Sequence, residues 1–382
     1  MHEPSTIFAG GFRPAALTRR AVLASLAGFA LAACSRREGS GTPHDTVTLY
    51  TSADAFLAQA IVDAAKAATG LDVRLVGDTE ATKTMGLVQR LMAEKDRPIA
   101  DVWWSSEALG TIGLARLGLL QPWTPAALAN EFGGSWPQGL SGRSPAQASD
   151  APASWYGVAQ RARVIAFNTR RVTNEAPRSL EALCEARWKG RVGLARPQFG
   201  TTRSHIAAHV TLSGEGAVRA WLERFKANQP RIYEGNSAAV AGLAVGEVDV
   251  CLTDTDDVWV GQAQAWPVDL VYEGADEQAG GDATKRLPSR GAIVIPNTVA
   301  IIAGCPNPSG AQRLADFLVS EEAERLMAQS DSRNVPIRVP LATRMRAIDP
   351  RLAMSEGAPV RWDMMEASTE MADRLIAEFF PI

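Results

Sequence analysis

Short runs with a two-residue hydrophobic period alternate along this chain with longer runs of helical period. Val47-Thr48-Leu49-Tyr50-Thr51-Ser52 is β-branched and aromatic and predicts a strand. The Ala-rich amphipathic run Phe56 to Thr69 predicts a helix stopped by Gly70, a glycine placed as a C-terminal cap. Leu71 to Val76 alternates as a second strand, Lys83 to Glu94 reads as a helix, and Ala100 to Trp104 as a third strand. Ser106 to Leu117 is a further helix before Gly118. This spacing of strand and helix means a parallel α/β sheet.

Residues 121 to 154 are rich in Pro, Gly, Ser and Trp and predict a long surface connection. A second α/β set follows. Arg163 to Asn168, Val192 to Ala195, Arg231 to Tyr233 and Val248 to Leu252 are expected strands, with helices at Thr202 to Leu212, Gly216 to Asn228 and Ala238 to Val245. Ala292 to Ile302 is an extended apolar run broken at Pro296, and Ala311 to Leu318 and Glu321 to Gln329 are helices. Two such sets joined by a crossing strand imply two lobes that hinge on a cleft. The expected boundaries are 47–160 for the first part of lobe 1, 161–290 for lobe 2, and 291–382 for the return to lobe 1 with C-terminal helices.

Before this pattern lies a thirteen-residue apolar stretch, Ala21 to Ala33, preceded by Arg19 and Arg20 and ending in Leu31-Ala32-Ala33-Cys34. A basic region, a short apolar core and small residues are the layout of a secretory signal peptide, and the core is too short to span a bilayer. Thr18-Arg19-Arg20 looks like a twin-arginine export signal, and Leu-Ala-Ala-Cys resembles the bacterial lipobox, in which Cys34 becomes the lipidated first residue. Residues 1–34 are thus expected to be removed or processed, with 35–46 a flexible tether. The expected location is extracytoplasmic, with the lipid as the membrane anchor.

Length and charge narrow the class. About 350 residues after Cys34 are enough for two cores. Removing the first 34 residues takes the formal net charge from -3 to -5, with no basic run suited to nucleic acid. Cys184, Cys251 and Cys305 are three cysteines at no metal-ligand spacing, so small buried apolar residues are expected, with one disulfide the alternative.

In open α/β sheets a ligand sits beyond the carboxyl ends of the strands. The loops there carry Thr51, Ser52 and Asp54; Ser105, Ser106 and Glu107; Gly200, Thr201 and Thr202; Asn236 and Ser237; and Asp254, Asp256 and Asp257. Asp254, Asp256 and Asp257 are hard oxygen donors within four residues; with Glu107 and Asp54 opposite they suit a hard cation, or else they cap the next helix and face water. Phe199-Gly200-Thr201-Thr202 opens a helix, so its free amides and hydroxyls suit an anion, with plain capping the alternative. Arg163, on the crossing strand, either balances that anion or is an ordinary surface arginine. His205 and His209 lie one turn apart on one helix face; a structural pair is expected, transition-metal ligation the alternative. One of Trp103 and Trp104 is free to face a ligand, with the other buried. No nucleophile elbow, phosphate-binding Walker loop or zinc pattern occurs, so no enzyme is expected, although an exported metal-dependent enzyme or a sensor subunit remain as other classes.

Ala100-Asp101-Val102-Trp103-Trp104-Ser105-Ser106-Glu107, Ala115 to Leu120, Arg187 to Val192, Gly235 to Ala238, Val294 to Ala300 and Asp316-Phe317-Leu318 occur in an order that resembles the ferric-iron type of extracellular solute-binding protein. The resemblance runs from about Val47 to Arg338. It implies a two-lobed type II periplasmic-binding fold, each lobe a mostly parallel sheet flanked by helices with hinge crossings, and a monomer that docks on an ABC transporter permease. It also implies a ferric or other hard metal ion as cargo rather than a cofactor, with a synergistic anion at the Gly200 loop beside Asn236 and Ser237. Such proteins supply paired tyrosines after the strand matching Val248 to Leu252, and some a histidine in the first loop. Here the loop after that strand reads Thr253-Asp254-Thr255-Asp256-Asp257, without a tyrosine, and Asp54 stands at the histidine's place in the first loop. A solute bearing phosphate or amine groups is the alternative ligand.

Overall fold

Thr46 to Thr51 carries β-branched and aromatic residues that are buried from Val47 onward, as a strand covered on both faces requires. The computed structural model describes residues 46–381 except 79–83, 144–145, 174, 275–286, 355–356 and 359. The export signal, Cys34 and residues 35–45 of the tether lie outside the described residues.

In chain order the elements are β1 (Thr46–Thr51), α1 (Ala55–Thr69), β2 (Asp72–Gly77), α2 (Met85–Ala93), β3 (Val102–Ser105), α3 (Leu109–Arg116), β4 (Leu120–Gln121), α4 (Ala126–Asn130) and β5 (Tyr156–Asn168). Then come β6 (Val192–Ala195), α5 (Gly200–Ser213), α6 (Glu215–Ala227), β7 (Arg231–Tyr233), α7 (Asn236–Ala244), β8 (Val250–Asp254), α8 (Thr255–Ala263) and β9 (Val268–Tyr272). The chain closes with β10 (Val294–Ile302), α9 (Pro308–Leu318), α10 (Glu321–Gln329), α11 (Val339–Ile348) and α12 (Glu366–Phe379).

One mixed sheet runs β2-β1-β3-β10-β5-β8-β6-β7, with β4 on β10 and β9 on β5. β1 pairs in parallel with β2 and β3, and β6 with β7 and β8, as the alternating pattern predicts. The antiparallel members β5 and β10 join these two parallel sets. α1 buries Leu57, Ala58, Ile61, Val62 and Ala65 on one face. It ends at Gly70, whose φ of 70° and N–H to the Lys66 carbonyl make the expected left-handed cap.

Residues 121 to 154 are more than a surface connection. Trp123 and Trp136 are buried, as is Trp155 beyond them. Tyr156 lies between the first two, ring centroids 4.7 and 4.9 Å away, and donates its hydroxyl to the Trp123 carbonyl at 2.9 Å. Trp136 Nε1 donates to the Gly157 carbonyl at 3.0 Å. Aromatics of this size bring a large apolar area wherever they are placed, and here they form a plug under β5.

β5 therefore starts seven residues before Arg163 and serves both halves of the sheet: Tyr156 to Ala162 pairs with β10, and Arg163 to Phe167 with β8. Its register on β10 shifts at Pro296/Asn297, where Ala159 is passed over and adopts φ 33°. This is a bulge, which adds a residue and re-aims the side chains that follow. β10 stays one strand through Pro296 rather than breaking there. Beyond the bulge, Arg161 and Arg163 alternate onto one face, and that face fronts the ends of β6 and β8. No helix among the described residues is long and apolar enough to cross a membrane.

Candidate functional site

Four helices start where strands end, and all four starts meet at one pocket. α1 follows β1, α5 follows β6, α7 follows β7 and α8 follows β8; none of their N-cap side chains, Asp54, Phe199, Gly235 and Asp254, caps its own helix. The pocket encloses about 40 Å³ and is lined by Asp54 and Ser106 from one half of the sheet and by Arg161, Thr201, Asn236 and Asp256 from the other. Each helix start leaves backbone N–H groups without an intrahelical partner and carries partial positive charge. The polar lining and the helix dipoles thus bring both signs of charge to one place.

Asp254 is the centre of the site, but it faces inward. It is 2% exposed, and its Oδ1 accepts from Arg163 at 2.8 Å. Its Oδ2 accepts from Thr201 Oγ1 at 2.6 Å, Asn236 Nδ2 at 3.0 Å and Arg161 Nε at 3.3 Å. Burial alone raises a carboxyl pKa, yet Arg163, Arg161 and the Thr201 hydroxyl together hold this one below its ordinary value. Asp254 is a fixed anion that ties the starts of α5 and α7 to β5. It neither caps α8 nor stands open as the cation ligand expected of it.

Asp256 and Asp257 lie in the first turn of α8, where acidic groups are favoured by the dipole. Asp256 reaches Arg161 at 3.2 Å, and Asp257 accepts from Ser237 Oγ at 2.8 Å and Thr253 Oγ1 at 3.2 Å. Burial opposes the charge on Arg161, but Asp256, Asp254, Asp257 and Asp54 hold its pKa above the usual arginine value. Asp54 enters this field from the opposite half of the sheet. The geometry gathers Asp54, Asp256 and Asp257 around Arg161, with Gly200, Thr201, Thr202, Asn236 and Ser237 beside them.

Several expected residues have other work. Glu107 is not a cation ligand opposite the aspartates: its oxygens accept from the Leu109 and Gly110 amides at 2.5 and 2.8 Å and from Ser204 Oγ at 2.9 Å, so it caps α3 and ties it to α5. Glu107→Gln is accordingly expected to cost about 1 kcal/mol of stability, the scale of a lost cap, and to leave ligand affinity within about twofold. Denaturant titration and calorimetry check both numbers. Thr51 Oγ1 accepts from the Ala53 amide, and the Ser52, Ser105 and Ser106 hydroxyls lie 3.3 Å apart in a chain that fastens the β1 and β3 loops. Of these, Ser106 lines the pocket. Arg163 is buried, which removes the surface reading.

Trp103 and Trp104 are both fully buried, so neither faces a ligand. Trp103 Nε1 donates to Thr111 Oγ1 at 2.8 Å. Cys184, Cys251 and Cys305 are free thiols, Cys251 and Cys305 buried and Cys184 half-buried. Burial pushes Cys184 up to about 12 and Cys305 to about 11, so all three act as packing groups.

Arg161, Arg196, Glu234, Asn297 and Asn334 line the pocket and were not anticipated as site residues. Arg161 reaches both Asp254 and Asp256 from the pocket lining, and its i, i+2 relation to Arg163 on a strand was a usable signal. Arg196 and Glu234 pair at 2.7 Å on the rim. Asn334, buried at the pocket floor, accepts from Asn297 Nδ2 at 2.8 Å, and its own Nδ2 has no partner among the described residues. Nothing near position 334 in sequence marks it, because only the fold brings it there.

Residues 135–363 match the model of a family described as bacterial extracellular solute-binding proteins. The chain is 28% identical over 282 residues to the major ferric iron-binding protein of Neisseria meningitidis serogroup B, covering 74% of this chain and 78% of that one. It is 29% identical over 283 residues to iron uptake protein A1 of Synechocystis, covering 69% and 68%. The crystal structure of iron-bound HitA from Pseudomonas aeruginosa superposes with a TM-score of 0.66 at 25% identity, over 86% of this chain and 99% of that one. The family match takes in β5 to β10, and the fold is the type II periplasmic-binding fold that the resemblance implies. The chain belongs to the bacterial extracellular solute-binding proteins, is similar among them to the ferric-iron type, and is a binding protein rather than an enzyme.

Proposed function

We propose that this protein is the extracytoplasmic receptor of an ABC importer and that it captures a hard metal cation, ferric iron foremost, together with an oxyanion. The observation that carries the reading is the mixed lining of the pocket: five carboxylates and two guanidinium groups beside four uncapped helix starts. The acidic excess calls for a cation, and hard oxygen donors suit a hard one. The α5 amides, the Thr202 hydroxyl, Arg161 and the Asn334 amide are donors suited to an oxyanion. The iron named in the relatives supports this choice of cargo. Asp54 and Asp256 are the proposed cation ligands, with Asp257 braced by Ser237 beside them.

Among the described residues no tyrosine lines the pocket. Iron held here takes its oxygens from carboxylates and the anion, so the loaded protein is expected to lack the visible colour that phenolate-to-iron charge transfer gives. Closure of the two halves of the sheet about β5 and β10 buries the ligand and shapes the surface that a permease reads. Cys34 is proposed as the lipid-bearing residue that keeps this receptor at the membrane.

The Thr201–Thr202 helix start lies in the same lining as Asp54 and Asp256, donors for a phosphate beside acceptors for an amine, which favours as a second reading an organic phosphate that also bears an amine. Melting the mature chain with ferric citrate, gallium citrate, inorganic phosphate and phosphoethanolamine separates the two. Saturating cargo at 100 times Kd stabilises by about 2.7 kcal/mol. A shift with the metals and none with phosphoethanolamine supports the metal reading; the reverse pattern replaces it with the second.

A further inference from the structure

Behind the cleft, within the body of the second half, α5 turns a different donor set inward. His205 and His209 are both buried, and their Nε2 atoms face one another at 3.1 Å. Glu273, just past β9 and also buried, brings Oε2 to 3.8 Å from His209 Nε2. One ligand atom from each of the three residues lies within 4.8 Å of the other two. The Ser289 hydroxyl lies 2.9 Å from Oε1 and also has the Gly274 carbonyl as an acceptor, so it fastens the Glu273–Gly274 turn.

We propose that His205, His209 and Glu273 form a second metal site, for a borderline divalent cation of the Zn²⁺ type, distinct from the cargo cleft. A tetrahedral ion with bonds of about 2.0–2.2 Å holds its ligand atoms roughly 3.3–3.5 Å apart; the observed 3.1 and 3.8 Å separations bracket that value. The i, i+4 spacing puts two imidazoles on one helix face, and β9 delivers the carboxylate from across the sheet. Imidazole and carboxylate donors select Zn²⁺, Co²⁺ or Ni²⁺ over the hard trivalent ions that suit the cleft. Ser289 supplies an outer-shell contact that fastens the turn bearing the ligating carboxylate. Three protein ligands leave a fourth position for water. The 3.8 Å between His209 Nε2 and Glu273 Oε2 is too long for a direct hydrogen bond, a gap that a shared ion spans.

The site pins α5 to β9 at the level of the helix turn that follows Thr201 and Thr202. It therefore holds the anion-facing start of α5 in place without touching the cargo. The proposal stands whether the cleft takes a metal or an organic solute.

The test uses Co²⁺ as the probe on the mature chain, stripped with chelator in mild denaturant and returned to buffer with Co²⁺. One equivalent is expected to bind with the visible d–d bands of a low-coordinate nitrogen–oxygen site. His209→Gln and Glu273→Gln are each expected to weaken that binding by more than the roughly 10–100-fold of an outer-shell change, with far-ultraviolet dichroism confirming that both variants fold. Asp256→Asn is expected to keep the bands, which separates this site from the cleft. Absence of the bands in the folded parent protein, or bands unchanged in both His209→Gln and Glu273→Gln, overturns the proposal. Bands lost in Asp256→Asn instead would place the cobalt in the cleft and overturn it equally.

Discussion

Asp254→Ala is expected to lose about 3–5 kcal/mol of stability and all measurable ligand binding. The magnitude follows from breaking a buried ion pair on one side only, which strands the remaining charge. Here Arg163 is stranded, having given Asp254 a 2.8 Å hydrogen bond, and Arg161, 3.3 Å from Asp254, is left with Asp256 at 3.2 Å; both arginine side chains are at most 4% exposed. Thr201 and Asn236 lose their common acceptor as well, and these residues open α5 and α7 on the pocket. Asp257→Ala, by contrast, removes a carboxylate held by two hydroxyls and is expected to cost about 1 kcal/mol.

Acid should act through the same group. The folded-state pKa of Asp254 lies below its unfolded value near about 3.9. Its stabilisation is therefore complete above that unfolded value and is lost as pH falls toward the folded one. Chemical denaturation of the parent protein and of Asp254→Ala from neutral pH to pH 3 reads both effects. Equal stabilities at neutral pH would remove Asp254 from the centre of the site.

Why the sequence tells so much of the fold and less of the site can be seen at single residues. Gly70 ends α1 by a local rule, and Glu321–Gln329 is a helix on its amphipathic period; both depend on neighbours in the chain. Tyr156-Gly157-Val158 follows a run of Pro, Gly, Ser and Trp, so the start of β5 was hidden by the segment before it. β9, Val268–Tyr272, is a short edge strand after Pro267 and has a weak period. The Asp254 to Asp257 cluster is plain in sequence, but its meaning is not. Only pairing of β5 with β8, ninety-one residues apart at Arg163 and Asp254, shows that one of the three acids is already neutralised. The histidine pair was legible as a helix face, whereas Glu273 joins it through the sheet.

The second large effect is expected at Arg161. Arg161→Met keeps most of the side-chain volume but removes the guanidinium that meets Asp256 and Asp254 in the pocket lining. If the ligand were a bare cation, deleting this positive charge would tighten binding. For a cation carried with an oxyanion, the change loses a charge-assisted donor and leaves Asp256 and Asp254 less compensated. Truncating one member of such a buried pair costs about 2–5 kcal/mol, so affinity is expected to fall by roughly 30-fold or more. Calorimetric titration of both proteins with ferric citrate in phosphate buffer gives the ratio. Stronger binding by the variant would show that no anion meets Arg161.

The central claim is that cation and oxyanion occupy this pocket together. The most direct measurement is the melting temperature of the mature chain titrated with ferric iron, delivered from a weak chelate, in the presence and absence of phosphate. The expected result is a shift that needs the metal and grows when phosphate is supplied, approaching the roughly 2.7 kcal/mol of a site saturated a hundredfold above Kd. No shift with iron under either condition, in a protein that melts cooperatively and responds to phosphoethanolamine, would contradict the account.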